Sequence, residues 1–265
     1  VRNVPISEVD DLDRAVVAIG TDYPPEHVLP AHRHRRAQFL YAATGLMRVE
    51  TSDGSWTIPT RRAVLIPPST EHMVVMQHVS TRSLYLEPAA VPWFPERCQA
   101  VDVSPLLREL LLEAVDIPPL YAGGGRDGIL IELILREISR STALPLDLPL
   151  PSNSDLRRRC QAFLGHPNVH ETAAQWADEL HISARTLARR FRSGTGTTFA
   201  GWRERACVVH SLTLLDDGVP IAQIAGTLGY ESPAAFATMF RRVLGSAPTA
   251  YRGSRTADRA DGRRL

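Results

Sequence analysis

The first hundred residues alternate between short apolar runs and breaks rich in Pro and Gly. The runs are RAVVAIG (14–20), FLYAATG (39–45), MRVET (47–51), WTIP (56–59), AVLIPP (63–68), MVVMQHV (73–79) and SLYLEP (83–88), with the turn SDGS at 52–55. Short strands at this regular spacing predict an all-β sandwich or barrel over residues 1–100. From Ser104 the apolar period lengthens to that of helices, LLRELLLEAV (106–115) and GILIELILREI (128–138), separated by the glycines at 123–125. These define a helical region over 101–142. The stretch ALPLDLPLPSNS (143–154) is too rich in Pro for a helix and reads as a linker. Residues 155–252 are helix-patterned again and predict an all-α domain; 253–265 read as a basic, disordered tail.

The second helical region repeats itself. Ala177, Leu180, Ile182, Leu187, Phe191 and Gly196 recur in order as Ala225, Leu228, Tyr230, Phe236, Phe240 and Gly245, with one extra residue in the second copy. Each copy reads as a helix, a tight turn and a second helix packed across the first, which is a helix-turn-helix. Ser183 and Ser232 stand where they cap the second helix of each copy. The first of these helices reads SARTLARRF, with Arg185, Arg189 and Arg190 within six residues and only Leu187 and Phe191 clearly apolar. A plain helical bundle needs no such basic exposed face; insertion beside phosphates does.

Charge divides the chain in the same place. The 265 residues carry a net +1, but residues 1–151 hold 14 Arg against 19 acids, while 152–252 hold 12 Arg against 8 acids. Opposite charge in two halves assigns them separate tasks, with a polyanion as the partner of the second. Every one of the 30 basic residues is arginine, the side chain suited to bidentate phosphate and guanine contacts. The three cysteines, Cys98, Cys160 and Cys207, form neither a zinc pattern nor a disulfide framework. With no apolar run of membrane-spanning length and no secretory signal pattern, the expected compartment is the cytoplasm.

The stretch IAQIAGTLGYESPAAFATMFRRVLGSAPTAYR (221–252) closely resembles the C-terminal signature of AraC/XylS-type transcriptional regulators. Ala225, Gly229, Tyr230, Ser232, Phe236, Phe240, Arg241, Gly245, Pro248, Tyr251 and Arg252 all fall on it. The resemblance implies two helix-turn-helix units joined by a long helix near 199–216, with their recognition helices in successive major grooves of double-stranded DNA. Carried over residue by residue, it assigns base contacts to Arg185, Thr186, Ala188 and Arg189 in the first recognition helix. In the second it assigns Pro233, Ala234, Ala237 and Thr238, which offer little hydrogen bonding and so position more than they specify. Arg241 and Arg242 become phosphate clamps, against the simpler reading of a solvated charged face.

Two histidines one residue apart, in AHRHRRAQF (31–39), can share one face of a strand because side chains alternate with period two. His32-x-His34-x3-Gln38-x6-Gly45 resembles the first cupin motif, with Gln38 where glutamate is common. IPPSTEH (66–72) resembles the second, with Ser69 where glycine is usual and His72 as its histidine. The implied fold is a small β-barrel whose mouth holds a ligand, and the implied donor set His32, His34, His72 and Gln38 suits one divalent ion, Zn, Ni or Fe. The same four side chains suit direct contact with an organic effector. Neighbouring Arg33, Arg35 and Arg36 are expected on the solvated rim.

Two functions follow from different classes. The first is a sequence-specific transcriptional regulator whose cupin domain senses a small molecule or metal ion, with double-stranded DNA, the effector, RNA polymerase and a second copy of itself as partners. The second is a metal-dependent cupin oxygenase or isomerase directed to DNA by its helical half. The tandem helix-turn-helix favours the regulator, which is no enzyme. Surplus apolar surface on the helices of 101–142 points to homodimerisation through Leu106, Leu110, Leu111, Ile131, Leu133, Ile134 and Leu135.

Overall fold

A computed structural model describes residues 3–251 except 9 and 25, with only the backbone described at 77, 78 and 216. Arg252 of the signature and the expected tail at 253–265 lie outside the described residues. The chain forms two compact units. One comprises the chain up to Ser52 with Trp56–Asp147, and the other comprises Asp53–Ser55 with the chain from Leu148.

The first unit is a predominantly antiparallel sheet. Its strands are β1 (Val16–Asp22), β2 (His27–His32), β3 (Ala37–Glu50), β4 (Gly54–Pro59), β5 (Arg62–Ile66), β6 (His72–Leu86) and β7 (Gln99–Asp102). Two pairs of runs that read as separate strands are continuous: 39–45 and 47–50 belong to β3, 73–79 and 83–86 to β6. The break in β3 is a bulged region, where register with β6 shifts between Ala42 and Leu46 and Gly45 takes φ +68°. A glycine inside a strand can mark a bulge as readily as a turn. The long β3–β6 ribbon carries the other strands. The second half of β6 pairs β1 and its first half pairs β2, while β3 pairs β5, which pairs β7.

Register separates two faces. Ala37, Phe39 and Tyr41 stand opposite Leu86, Leu84 and Arg82, and Phe39 also faces Leu65. With Val16, Ala18 and Val101, the apolar members of this face form the main core. It is covered by α1 (Pro105–Ala114) and α2 (Arg126–Ser139) through Leu107, Leu111, Ala114, Ile131, Ile134 and Ile138, spaced at three and four residues. Leu111, Ile131 and Ile134 are therefore core, not the dimer surface expected of them. Leu110 and Leu135 are half-buried on that core, while Leu106 and Leu133 are exposed. Gln38, Leu40, Tyr85, Ser83, Val17 and Ile19 share the opposite face, which carries the candidate pocket.

The stretch 143–154 is more ordered than a linker. Ala143 bridges Val101, Asp147–Pro149 form β8, and Leu146, Leu148 and Leu150 are buried. Its leucines recur at every second residue, a strand period that the Pro content conceals. In the second unit, the Trp202 indole N–H donates to the Pro149 carbonyl at 2.9 Å. The described α-helices of this unit are α3 (Ser154–Gly165), α4 (Ala173–Glu179), α5 (Ala184–Thr195), α6 (Phe199–Asp216), α7 (Ile221–Thr227) and α8 (Pro233–Leu244). Phe163, Trp176, Phe191, Phe199 and Trp202 form an aromatic core around α4 and α5, with ring centroids 4.8 to 6.3 Å apart. Phe236 and Phe240 form the counterpart under α8.

Candidate functional site

β2 ends and β6 begins at His32 and His72, which are register partners. His34 follows two residues later, and the two motifs are joined where Ser69 N–H donates to the His34 carbonyl at 2.9 Å. Ser69 holds a left-handed φ of +58°, the physical reason glycine suits this position. The imidazole ligand atoms of His32, His34 and His72 lie within 4.8 Å of one another.

Each ring is oriented through Nδ1: His32 to Pro30 O at 2.8 Å, His34 to Arg36 O at 2.6 Å, His72 to Thr70 O at 2.8 Å. A ring that donates Nδ1–H to a carbonyl keeps its lone pair on Nε2, the form that ligates a metal. Burial pushes the His72 pKa down to about 4 and lowers that of His34, so both rings are neutral at pH 7. His72 Nε2 is buried and has no hydrogen-bond partner among the described residues.

Gln38 reaches this group from β3. Its Oε1 lies 3.1 Å from His34 Nε2, while its amide nitrogen donates to Ser83 Oγ and the Tyr85 hydroxyl, each at 3.2 Å. With His34 Nδ1–H already given to Arg36, two acceptors face each other across 3.1 Å. A cation bound by both relieves that repulsion and also satisfies His72 Nε2. Reversing the amide relieves the first conflict, with NH2 donating to His34 and Oε1 accepting from both hydroxyls, but leaves His72 Nε2 bare. The donor set therefore fits a divalent ion with imidazole and amide ligands. Ser83 and Tyr85 went unassigned in the sequence, although SLYLEP alternates and sets both opposite Leu84 and Leu86.

Arg33 and Arg35 are exposed as expected, but Arg36 is not on a solvated rim: it is fully buried. Its guanidinium donates to three backbone carbonyls, Asp10 at 3.1 Å, Leu12 at 2.7 Å and Arg14 at 2.8 Å. The Asp10 and Glu87 carboxylates lie 3.4 and 3.5 Å away. This clamp holds the N-terminal segment on the sheet, where Val4, Ile6 and Leu12 pack, with Tyr85, against Val17 and Ile19. The same Arg36 orients His34 through its carbonyl, so the clamp and the pocket share a residue.

The recognition helices repeat their geometry. Ser183 accepts from Thr186 N and Ser232 from Ala235 N, both at 3.1 Å. Both helices end in a left-handed glycine, Gly196 at φ +72° and Gly245 at φ +74°. On α5, Arg185, Ala188, Arg189 and Arg190 are exposed and Thr186 is half-buried, its hydroxyl 2.9 Å from that of Ser183. On α8, Pro233, Ala234, Thr238, Arg241 and Arg242 are exposed and Ala237 is half-buried. Arg242 is paired with Glu204 of α6 at 2.7 Å, whereas Arg185, Arg189, Arg190 and Arg241 have no ion pair with any described residue. Of these five arginines, the ones without an ion pair are thus concentrated on α5.

Residues 15–122 match the model of the AraC-like ligand binding domain, and residues 176–254 match that of a helix-turn-helix domain. The HTH-type transcriptional regulator NimR of Escherichia coli (strain K12) is 32% identical over 233 residues, covering 88% of this chain and 84% of that protein. The arabinose operon regulatory protein of Salmonella typhimurium is 27% identical over 135 residues, 49% of this chain and 48% of its own length. Among solved structures, ToxT of Vibrio cholerae aligns over 90% of this chain and 97% of its own, at 14% identity and a TM-score of 0.38.

Proposed function

The chain belongs to the AraC-type transcriptional regulators, with a ligand-binding domain ahead of its DNA-binding helix-turn-helix domain, and we propose that the three-histidine pocket is the sensor. The observation that carries this reading is the buried His72 Nε2, bare in either orientation of the Gln38 amide and within 4.8 Å of the ligand atoms of His32 and His34. One divalent ion on His32, His34, His72 and Gln38 answers it, and imidazole ligation favours Zn, Ni or Fe. Such an ion supplies an electrophilic point to which a small effector with a lone pair can attach. The protein's own part is to keep His34 and His72 neutral by burial, fix the tautomers of all three rings through carbonyls and exclude water with the N-terminal segment.

The relatives are named as regulators, and nothing in them favours the oxygenase or isomerase reading; the proposed role is sensing, not turnover. No helix among the described residues is long and apolar enough to cross a membrane, and the proposed site of action is the cytoplasm, on double-stranded DNA. Arg185 and Arg189 are the proposed base readers, with Arg190 and Arg241 on phosphates. Homodimerisation through Leu106, Ile129 and Leu133, exposed at 50%, 63% and 37%, would let two weak half-sites act together; RNA polymerase is the proposed downstream partner. The test is metal content after purification without chelator, followed by operator binding with and without the ion. About one equivalent per chain, lost in His34→Ala, is expected. A metal-free protein whose regulatory response ignores both chelator and added ions would reject the metal and leave the histidines as effector contacts.

A further inference from the structure

The two turns of the repeat match in backbone but not in surroundings. His181 (φ +53°) and Gly229 (φ +82°) occupy the same position, between Leu180 and Ile182 in one copy and Leu228 and Tyr230 in the other. Because a histidine holds this conformation in the first turn, backbone angle alone does not demand glycine in the second. What differs is a neighbour. A Cβ at Gly229 would meet Asn168 Oδ1 at 2.7 Å and His170 Cδ2 at 2.9 Å, whereas His181 is exposed.

Those neighbours belong to the segment His166–Glu171, which runs from α3 to α4. Val169 N–H donates to the Leu228 carbonyl at the end of α7, at 2.9 Å. Asn168 Oδ1 accepts from His170 N–H at 2.9 Å, which shapes the bend against Gly229. At the end of the segment, Glu171 is fixed to the first helix-turn-helix and the helix before it: its carboxylate accepts from Trp176 Nε1 of α4 at 2.5 Å and from Arg159 Nη2 of α3 at 2.6 Å. Its carbonyl accepts from Arg203 of α6 at 2.5 Å. One end of the segment is therefore held by the first helix-turn-helix and its middle by the turn of the second.

We propose that residues 166–171 are a brace that fixes the pitch between the two helix-turn-helix units, with Asn168 and Gly229 as positioning residues that set the spacing between the two DNA boxes the protein reads. The proposal rests on both α5 and α8 entering successive grooves. One base pair inserted between the boxes separates them by about 3.4 Å and rotates one relative to the other by about 35°. A braced pair of helices rejects that displacement, while a loosened pair tolerates it, because a flexible connection accepts either spacing.

The test uses the full chain and a duplex that the wild type selects from a random library, with one base pair added or removed between the boxes found by footprinting. Gly229→Ala displaces the segment; Gly196→Ala carries the same left-handed backbone penalty into open space and serves as its control. Wild type and Gly196→Ala are expected to lose about tenfold or more in affinity on respacing. Gly229→Ala should bind the original spacing more weakly yet lose less than about threefold on respacing. Asn168→Ala, which adds no atom and no backbone strain, should reduce the penalty in the same direction if Gly229→Ala fails to fold. An unchanged respacing ratio in folded variants overturns the brace. A wild-type footprint confined to one groove removes the two-groove reading, and the brace with it.

Discussion

Replacing Arg36 with Met keeps the unbranched apolar stem of the side chain and deletes the guanidinium. Three carbonyls then lose charge-assisted donors, and the Asp10 and Glu87 carboxylates lose their buried neighbour. Breaking a buried ion pair from one side costs about 3–5 kcal/mol. Here the abandoned groups are partly wet, with side-chain exposures of 23% for Asp10 and 33% for Glu87, so the lower end, about 3 kcal/mol, is expected. Arg35 is the internal control. It sits one residue away and also binds Glu87, at 2.7 Å, but its side chain is 49% exposed. Arg35→Met should cost less than about 1 kcal/mol.

The cost should fall on the opening of the N-terminal segment, so it is read by amide hydrogen exchange over residues 3–14 and β1, not by a global melt of a two-domain chain. A 3 kcal/mol change accelerates exchange there by about 150-fold. Trypsin supplies a second readout, since Arg14 is half-buried under the clamp and becomes accessible once it opens. Equal effects from Arg35→Met and Arg36→Met, or unchanged exchange in Arg36→Met, would refute the assignment of the clamp to Arg36.

On DNA, Arg185→Ala or Arg189→Ala should each cost about 1–3 kcal/mol and relax preference at one or two base pairs, whereas Arg241→Ala should weaken all sequences alike and flatten the salt slope; identical salt and sequence profiles for all three would reject the division. Arg242→Ala should change the salt slope least, because Glu204 already holds that charge. Acid should destabilise the metal-free sensor unit. His72, at about 4 in the fold and about 6.5 unfolded, binds its proton later when folded, so stability is full above pH 6.5 and declines by about 3 kcal/mol as pH falls to 4. His34 acts in the same direction; denaturation midpoints flat across that window would count against buried neutral rings. For assembly, Ile129→Glu with Leu133→Glu should yield a monomer by sedimentation without loss of fold, while Leu111→Ala should destabilise the unit by about 2–5 kcal/mol without changing the association constant of the folded remainder.

The helical half was the more legible because its signal is redundant. Two copies of one pattern fix each other's register, and the caps at Ser183 and Ser232 fall where the repeat puts them. What escaped was the traffic between copies. Nothing in HPNVHE announces that its backbone will dock on a turn sixty residues away, because that contact is made by a main-chain N–H and by the absence of a side chain at Gly229. The β half is legible as strands but in pieces: Gly45 and the polar run near residue 80 look like turns while the ribbon passes through both, and β2 and β7 have no apolar run to mark them.

Arg36 shows where residue type overrode a pattern already in use. The period-two argument that pairs His32 with His34 extends without change to Arg36 and Gln38, and His34, Arg36 and Gln38 are indeed all buried while Arg33 and Arg35 are exposed. Charge made the rim the expected place for all three arginines, because a guanidinium is rarely fully buried unless its donors are met. Here they are met by carbonyls of residues 10–14, a stretch with too few apolar residues to predict as an element. A buried arginine between two pocket side chains thus makes the order of the N-terminal segment depend on the short β2–β3 connection that builds the pocket. Any ligand that repositions His34 acts on that connection first.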